Sequence, residues 1–169
     1  MLYPNINELT QSYRQIIQSE PFINEFRRNI GTFQIENEDK EFLTRLEWDG
    51  GDLYFIREGE ESNASNDDYL QINGDFTISY TIPRIVQGNY DVILRAQSYN
   101  SANAVVQVFI DGKKIGNMAD LTRGGSASQP FRNIEMGSIT FNEYKEHLIE
   151  IKPIVPGKMD WDYIRFNPI

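Results

Sequence analysis

Few residues in this chain are suited to side-chain chemistry. Of 169 residues one is His, none is Cys, and 25 are Asp or Glu. A lone imidazole, His147, with no thiol removes Ser-His and Cys-His nucleophile arrangements, Cys-ligated zinc and thiol redox chemistry together. His147 opens a run in which Ile149 and Ile151 share its face, so it reads as a packing residue rather than a base or metal ligand. Glycoside cleavage needs only an acid and a base or nucleophile at a set separation. That chemistry stays open as an alternative, but 25 carboxylates nominate no pair. Gly124-Gly125-Ser126 resembles part of a phosphate loop, yet no Lys-Ser or Lys-Thr follows and no helix start is evident, so it reads as an ordinary loop.

Charge narrows the partners. With 25 acidic against 16 basic side chains the formal charge is -9, which repels polyphosphates and anionic lipid surfaces. No nucleic-acid partner is expected. No apolar run approaches a membrane span, so direct membrane insertion is not expected either. Met1 to Asn5 lacks the basic and apolar regions of an export signal. The chain is therefore expected to be cytoplasmic, or a mature fragment or excised domain of an exported protein.

The elements that would position any site divide in two. Over residues 1–31 the apolar positions Leu9, Tyr13, Ile16, Ile17, Phe22, Ile23 and Phe26 recur at helical spacing, interrupted at Ser19-Glu20-Pro21. A short helical leader or linker is predicted there, ended by Asn29-Ile30-Gly31. From 32 to 169 short runs of Ile, Val, Phe, Tyr and Thr alternate with Gly, Asn, Asp and Pro clusters, the pattern of an all-β domain. Strands are predicted at 32–36, 53–57, 76–82, 88–98, 104–110, 137–141, 147–153 and 160–167, which is about the eight of a jelly roll. Phe76, Ile78 and Tyr80 share one face, as do Tyr90, Val92, Leu94 and Ala96, so each strand turns one side to a core. Asp111-Gly112 predicts a tight hairpin turn. Residues 58–68 and 116–132 are polar and rich in Gly, Ser and Asn, and are predicted as surface loops.

Four segments, read in order with the closing strand, resemble carbohydrate-binding module families 6 and 35 of the galactose-binding-like superfamily. They are Asp75-Phe76-Thr77-Ile78-Ser79-Tyr80-Thr81-Ile82-Pro83, then Gly88-Asn89-Tyr90-Asp91-Val92-Ile93-Leu94-Arg95-Ala96, Val108-Phe109-Ile110-Asp111-Gly112-Lys113, and His147-Leu148-Ile149-Glu150-Ile151. The closing strand is Asp160-Trp161-Asp162-Tyr163-Ile164-Arg165-Phe166. The resemblance covers residues 70 to 167 and implies an antiparallel β-sandwich that binds glycan without catalysis. Ile154-Val155-Pro156-Gly157-Lys158-Met159-Asp160 is also similar to modules that follow fasciclin-like adhesion domains in Bacteroidetes surface lipoproteins. That second likeness implies an extracellular or cell-surface location beside neighbouring domains of a larger protein. It also supplies the alternative of a structural or adhesion module with no small ligand.

Sugar recognition in such modules uses an aromatic face for the ring and amide or charged groups for the hydroxyls. The resemblance therefore implies a ligand site at a rim of loops, with Tyr99 stacking and Asn100, Asn103 and Arg123 bonding hydroxyls, joined by Gln129. Trp48, beside the Gly50-Gly51 turn, reads as a ligand platform or as a cover over one end of the core. Trp161 reads as a core residue. Many sugar-binding relatives carry an Asn just before the closing Asp-Trp, where this chain has Lys158 and Met159. Glu36, Glu38, Asp39, Asp160 and Asp162 match in position a structural calcium site of many relatives, although no specific calcium loop is spelled out.

Overall fold

The computed structural model describes residues 33–36, 46–56, 63–64, 69–82 and 84–169. The predicted helical leader lies outside these residues. Twelve strands are described: β1 Phe33–Glu36, β2 Leu46–Asp49, β3 Asp52–Ile56, β4 Tyr69–Gly74, β5 Thr77–Ile82, β6 Gly88–Gln97, β7 Val105–Ile110, β8 Lys113–Lys114, β9 Ala119–Asp120, β10 Phe131–Phe141, β11 His147–Val155 and β12 Gly157–Pro168. All pair antiparallel in two sheets. One sheet runs β10-β6-β12-β4-β3 with β1 also on β12, and the other runs β2-β5-β11-β7-β8 with β9 also on β7. This is the all-β sandwich that the alternating pattern predicted.

The period-2 side-chain rule accounts for the core between the sheets. Ile78, Tyr80 and Ile82 of β5 face Val92, Leu94 and Ala96 of β6 across a layer that also buries Val106, Val108, Ile149, Ile151, Ile164 and Phe166. Trp161 is fully buried there, as its strand position indicated. Eight predicted strands correspond to observed ones. β10 begins at Phe131, six residues before the predicted 137–141 strand, so the tail of the supposed 116–132 loop is strand. β2, β4, β8 and β9 have no predicted counterpart.

Residues 113–120 close the side of the sandwich. They run along β7, pairing at Lys113 and Lys114 and again at Val105 and Val106, and cross to the other sheet where Asn117 N donates to Met136 O at 2.9 Å. Between these points Ile115 N still donates to Val108 O at 3.0 Å, and the Gln107 amide supplements the thinned ladder by donating to Ile115 O at 2.7 Å and Val108 O at 3.1 Å. At the crossing only glycine fits. A Cβ on Gly116 (φ +43) would stand 1.7 Å from Met136 O, and Gly137 opposite it has φ +120.

The registers sort the connections to two ends. At one end lie the β2–β3, β4–β5, β6–β7, β9–β10 and β11–β12 connections, because Gly74 pairs with Gly157, Trp161 with Ala96 and Phe131 with Gln97. At the other lie β5–β6, β10–β11 and the β7–β8 hairpin, whose Asp111 and Gly112 both have positive φ (50° and 74°) as the tight turn requires.

Candidate functional site

The first end carries the residues singled out for ligand contact. Its central loop, after β6, is a turn in which Asn103 N donates to Asn100 O at 3.1 Å and Ala102 N to Asn100 Oδ1 at 3.0 Å. Asn favours this position because its side chain mimics a backbone acceptor two residues on. Asn100 thus remains exposed while its oxygen shapes the turn. The loop is stitched to β12 by Lys158 N to Ala102 O at 3.0 Å and Ala104 N to Lys158 O at 2.7 Å. Gly157 permits that approach, since a Cβ there would lie 2.8 Å from Ala102 O.

Tyr99 projects from this loop and is 54% exposed. Asn103 does not join it: the residue is 3% exposed, and its Nδ2 donates to Leu121 O at 2.9 Å and Gln97 O at 3.1 Å. Its amide ties the β6–β7 and β9–β10 connections together, so it sits beneath the surface on which it was expected to bond hydroxyls. Arg123 lies on the neighbouring connection with its side chain 84% exposed, 3.4 Å from Asp120. Hydrogen bonds from the Thr122 hydroxyl and amide hold the Asp120 carboxyl below the usual carboxylate range, keeping an anion at the base of Arg123. Gln129 is exposed on the same connection, in an isolated bridge with Ser126.

Trp48 is 54% exposed near the same end, on edge strand β2 opposite Ile78. It is not beside Tyr99. The β2-β5-β11-β7 order puts three strand spacings, about 14 Å, between its strand and β7, where the Tyr99 loop enters. Between them ends β11, whose Ile154 and Val155 are both about half exposed. They do not form one surface with Trp48: Trp48 lies opposite core-facing Ile78 and level with Ile151, while Val155 pairs with Val105 on the alternate face. The ligand-contact candidates that share a place are therefore Tyr99, Asn100, Arg123 and Gln129.

Sequence reasoning missed Ile154 and Val155, and it missed Arg132. The Arg132 Nε donates to Ser98 Oγ at 2.6 Å and to Arg123 O at 3.1 Å, while Ser98 N and O bond Pro130 O and Gly125 N at 2.9 and 2.8 Å. This guanidinium fixes the 121–130 connection against the residue preceding Tyr99. The only signal in the sequence was one Arg at the end of a polar stretch.

Of the carboxylates aligned with a calcium site, Asp160 and Asp162 occupy the outer face of the first sheet. Asp162 Oδ2 accepts from Arg95 Nε at 2.8 Å. Asp160 Oδ1 accepts from Gln71 Nε2 at 2.9 Å, and Lys158 Nζ lies 2.7 Å from Asp160 Oδ2 as a charge contact off the hydrogen-bonding direction. Burial, aided by the Asp160 charge, raises the pKa of the neighbouring Tyr69 hydroxyl. The β1 backbone pairs Glu36 with Tyr163, while Glu38 and Asp39 lie outside the described residues. Among the described residues no group of three His, Asp or Glu is placed to hold a metal. His147 is buried among Phe141 and the core aromatics, as expected of a packing residue, and its Nδ1 lies 2.7 Å from Asp111 Oδ2.

No protein-family model matches the chain, and no curated protein does. Solved structures match its fold. A family 35 carbohydrate binding module from Clostridium thermocellum has a TM-score of 0.59 at 14% identity over 82% of this chain and 98% of that one. The CBM36-1 domain of a multidomain xylanase from the hindgut metagenome of Trinervitermes trinervoides has a TM-score of 0.56 at 17% identity, with the same coverages of 82% and 98%. A Paenibacillus xanthan lyase reaches 0.65 at 19% identity over 80% of this chain, which spans only 13% of that enzyme. The described sandwich is thus the jelly roll of these carbohydrate-binding modules, as the resemblance over residues 70 to 167 implied.

Proposed function

We propose that this chain is a non-catalytic module of a larger extracellular or cell-surface protein, binding glycan along its rim of loops. The observation that carries the reading is exposed Tyr99 on the loop after β6, with exposed Asn100 beside it and exposed Arg123 and Gln129 on the neighbouring connection. Sugar rings present apolar faces and an equatorial girdle of hydroxyls, and aromatic and amide groups side by side suit both. The jelly-roll modules named above support a saccharide ligand by their fold. At the Tyr99 end no acid–base pair is in place, because residues 98–104 and 121–130 contain no carboxylate and Asp120 at their base is engaged by Thr122 and Arg123; the exposed Asp49, Asp52 and Asp75 lie at the β2–β3 and β4–β5 connections.

A glycan array with the full chain tests the reading, followed by calorimetric titration of a bound oligosaccharide. Tyr99→Ala is expected to weaken affinity at least tenfold, about 1.4 kcal/mol, with the thermal midpoint unchanged. Unaltered affinity in that variant removes Tyr99 from the site, and an array with no bound glycan removes the function. A second reading, a structural or adhesion module attached to neighbouring domains, is favoured by the exposed Ile154 and Val155 beside Pro156, which suit a protein contact as well as a sugar.

A further inference from the structure

The opposite end of the sandwich holds a groove of about 470 Å³ between the β7–β8 hairpin and the β10–β11 connection. Three of the chain's six lysines line it: Lys113, Lys114 and Lys145. Lys145 is matched by Glu143 at 2.8 Å. Asp111 is committed elsewhere, accepting from Leu148 N at 3.0 Å and facing His147 Nδ1. Lys113 and Lys114 form no ion pair among the described residues. On a chain of net charge -9, two unmatched ammonium groups at one groove make a local site for an oxyanion.

Its other walls decide what carries that oxyanion. Lys113 pairs with Ile110 and so shares the face that turns inward, Lys114 pairs with Phe109 on the alternate face, and both residues line the groove. Partly exposed Ile139 gives an apolar wall, and Asn142 and Glu143 offer amide and carboxylate groups for hydroxyls. A bare inorganic anion would leave the apolar wall, the amide and most of the volume unused. A neutral sugar would leave the lysines unmatched. We propose that this groove is a second binding site, separate from the rim, for a sugar that bears an oxyanion, whether a carboxylate or a sulfate ester.

The test follows amide ¹H–¹⁵N shifts of the full chain at constant ionic strength during titration with glucuronate, glucose 6-sulfate, glucose and inorganic sulfate. Glucuronate, glucose 6-sulfate or both should give saturable shifts at residues 113–116 and 142–148, binding at least tenfold more tightly than glucose or inorganic sulfate. Which of the two saturates tells a carboxylate from a sulfate ester. Lys113→Gln combined with Lys114→Gln changes exposed side chains only, and should weaken that binding at least tenfold while Tyr99→Ala leaves it intact. Inorganic sulfate binding as tightly as both charged sugars would overturn the proposal, as would saturation by neither. Binding abolished by Tyr99→Ala but retained by the lysine variant would place the charged sugar at the rim and overturn it equally. Because the rim and the groove are probed by different variants, either can fail alone.

Discussion

Asn103 shows how a residue chosen for ligand contact can serve the site from beneath. Its two amide hydrogens satisfy carbonyls from two connections, and a buried acceptor left without a donor costs about 1–3 kcal/mol. Asn103→Ala should therefore lower stability by about 2 kcal/mol, read as a fall in the thermal midpoint, with weaker glycan binding as a consequence. A destabilisation too small to measure would show that water replaces the amide at no cost. Asp111 carries a different signature. Burial pushes its carboxyl up, but hydrogen bonds from His147 and Leu148 N outweigh that and hold it below the ordinary range. A depressed folded-state pKa adds stability that is complete above the unfolded value, near 3.9, and is lost as pH falls through the folded value. The thermal midpoint should thus fall below about pH 4, and less steeply in Asp111→Asn, which keeps an acceptor for Leu148 N and tolerates the positive φ. Parallel pH profiles would remove Asp111 from the acid response.

At the scale of elements, the sandwich depends on how the 113–120 segment closes it. Gly116 and Gly137 meet backbone to backbone, and a Cβ on Gly116 has nowhere to go. Gly116→Ala should cost about 3 kcal/mol or more from clash and backbone strain together, measured by urea unfolding. Near-wild-type stability would mean that the segment can swing clear of β10. Strands with apolar alternation and a strong turn were legible: β5, β6, β7 and β11 follow from Ile, Val and Tyr on every second residue, and the β7–β8 turn from Asp111-Gly112. β4 was not, because in Tyr69-Leu70-Gln71-Ile72-Asn73-Gly74 only Leu70 and Ile72 are buried apolar side chains, too short a signal beside a polar stretch. β2 presents Glu47, Trp48 and Asp49 to solvent, and an edge strand of that kind reads as a turn. β8 and β9 are two residues each and exist only because β7 templates them.

Over the whole molecule, what the sequence could not show was convergence. Tyr99, Asn100, Arg123 and Gln129 were nominated from two stretches of loop, and the sheet registers bring those stretches to one end. The same registers place Trp48 on the far side of that end, away from Tyr99, a separation no local pattern encodes. Arg132 and Asn103 were illegible as supports because their partners are backbone carbonyls and Ser98, groups that every sequence contains. The lysine groove joins residues about thirty apart and was equally invisible to motif reading. The most direct test of a rim-bound glycan is hydrogen–deuterium exchange with and without a neutral oligosaccharide selected on the array. Protection confined to residues 99–104 and 121–129, with 138–147 unchanged, is the result expected. Protection at the groove end alone, or none at saturating ligand, would contradict it.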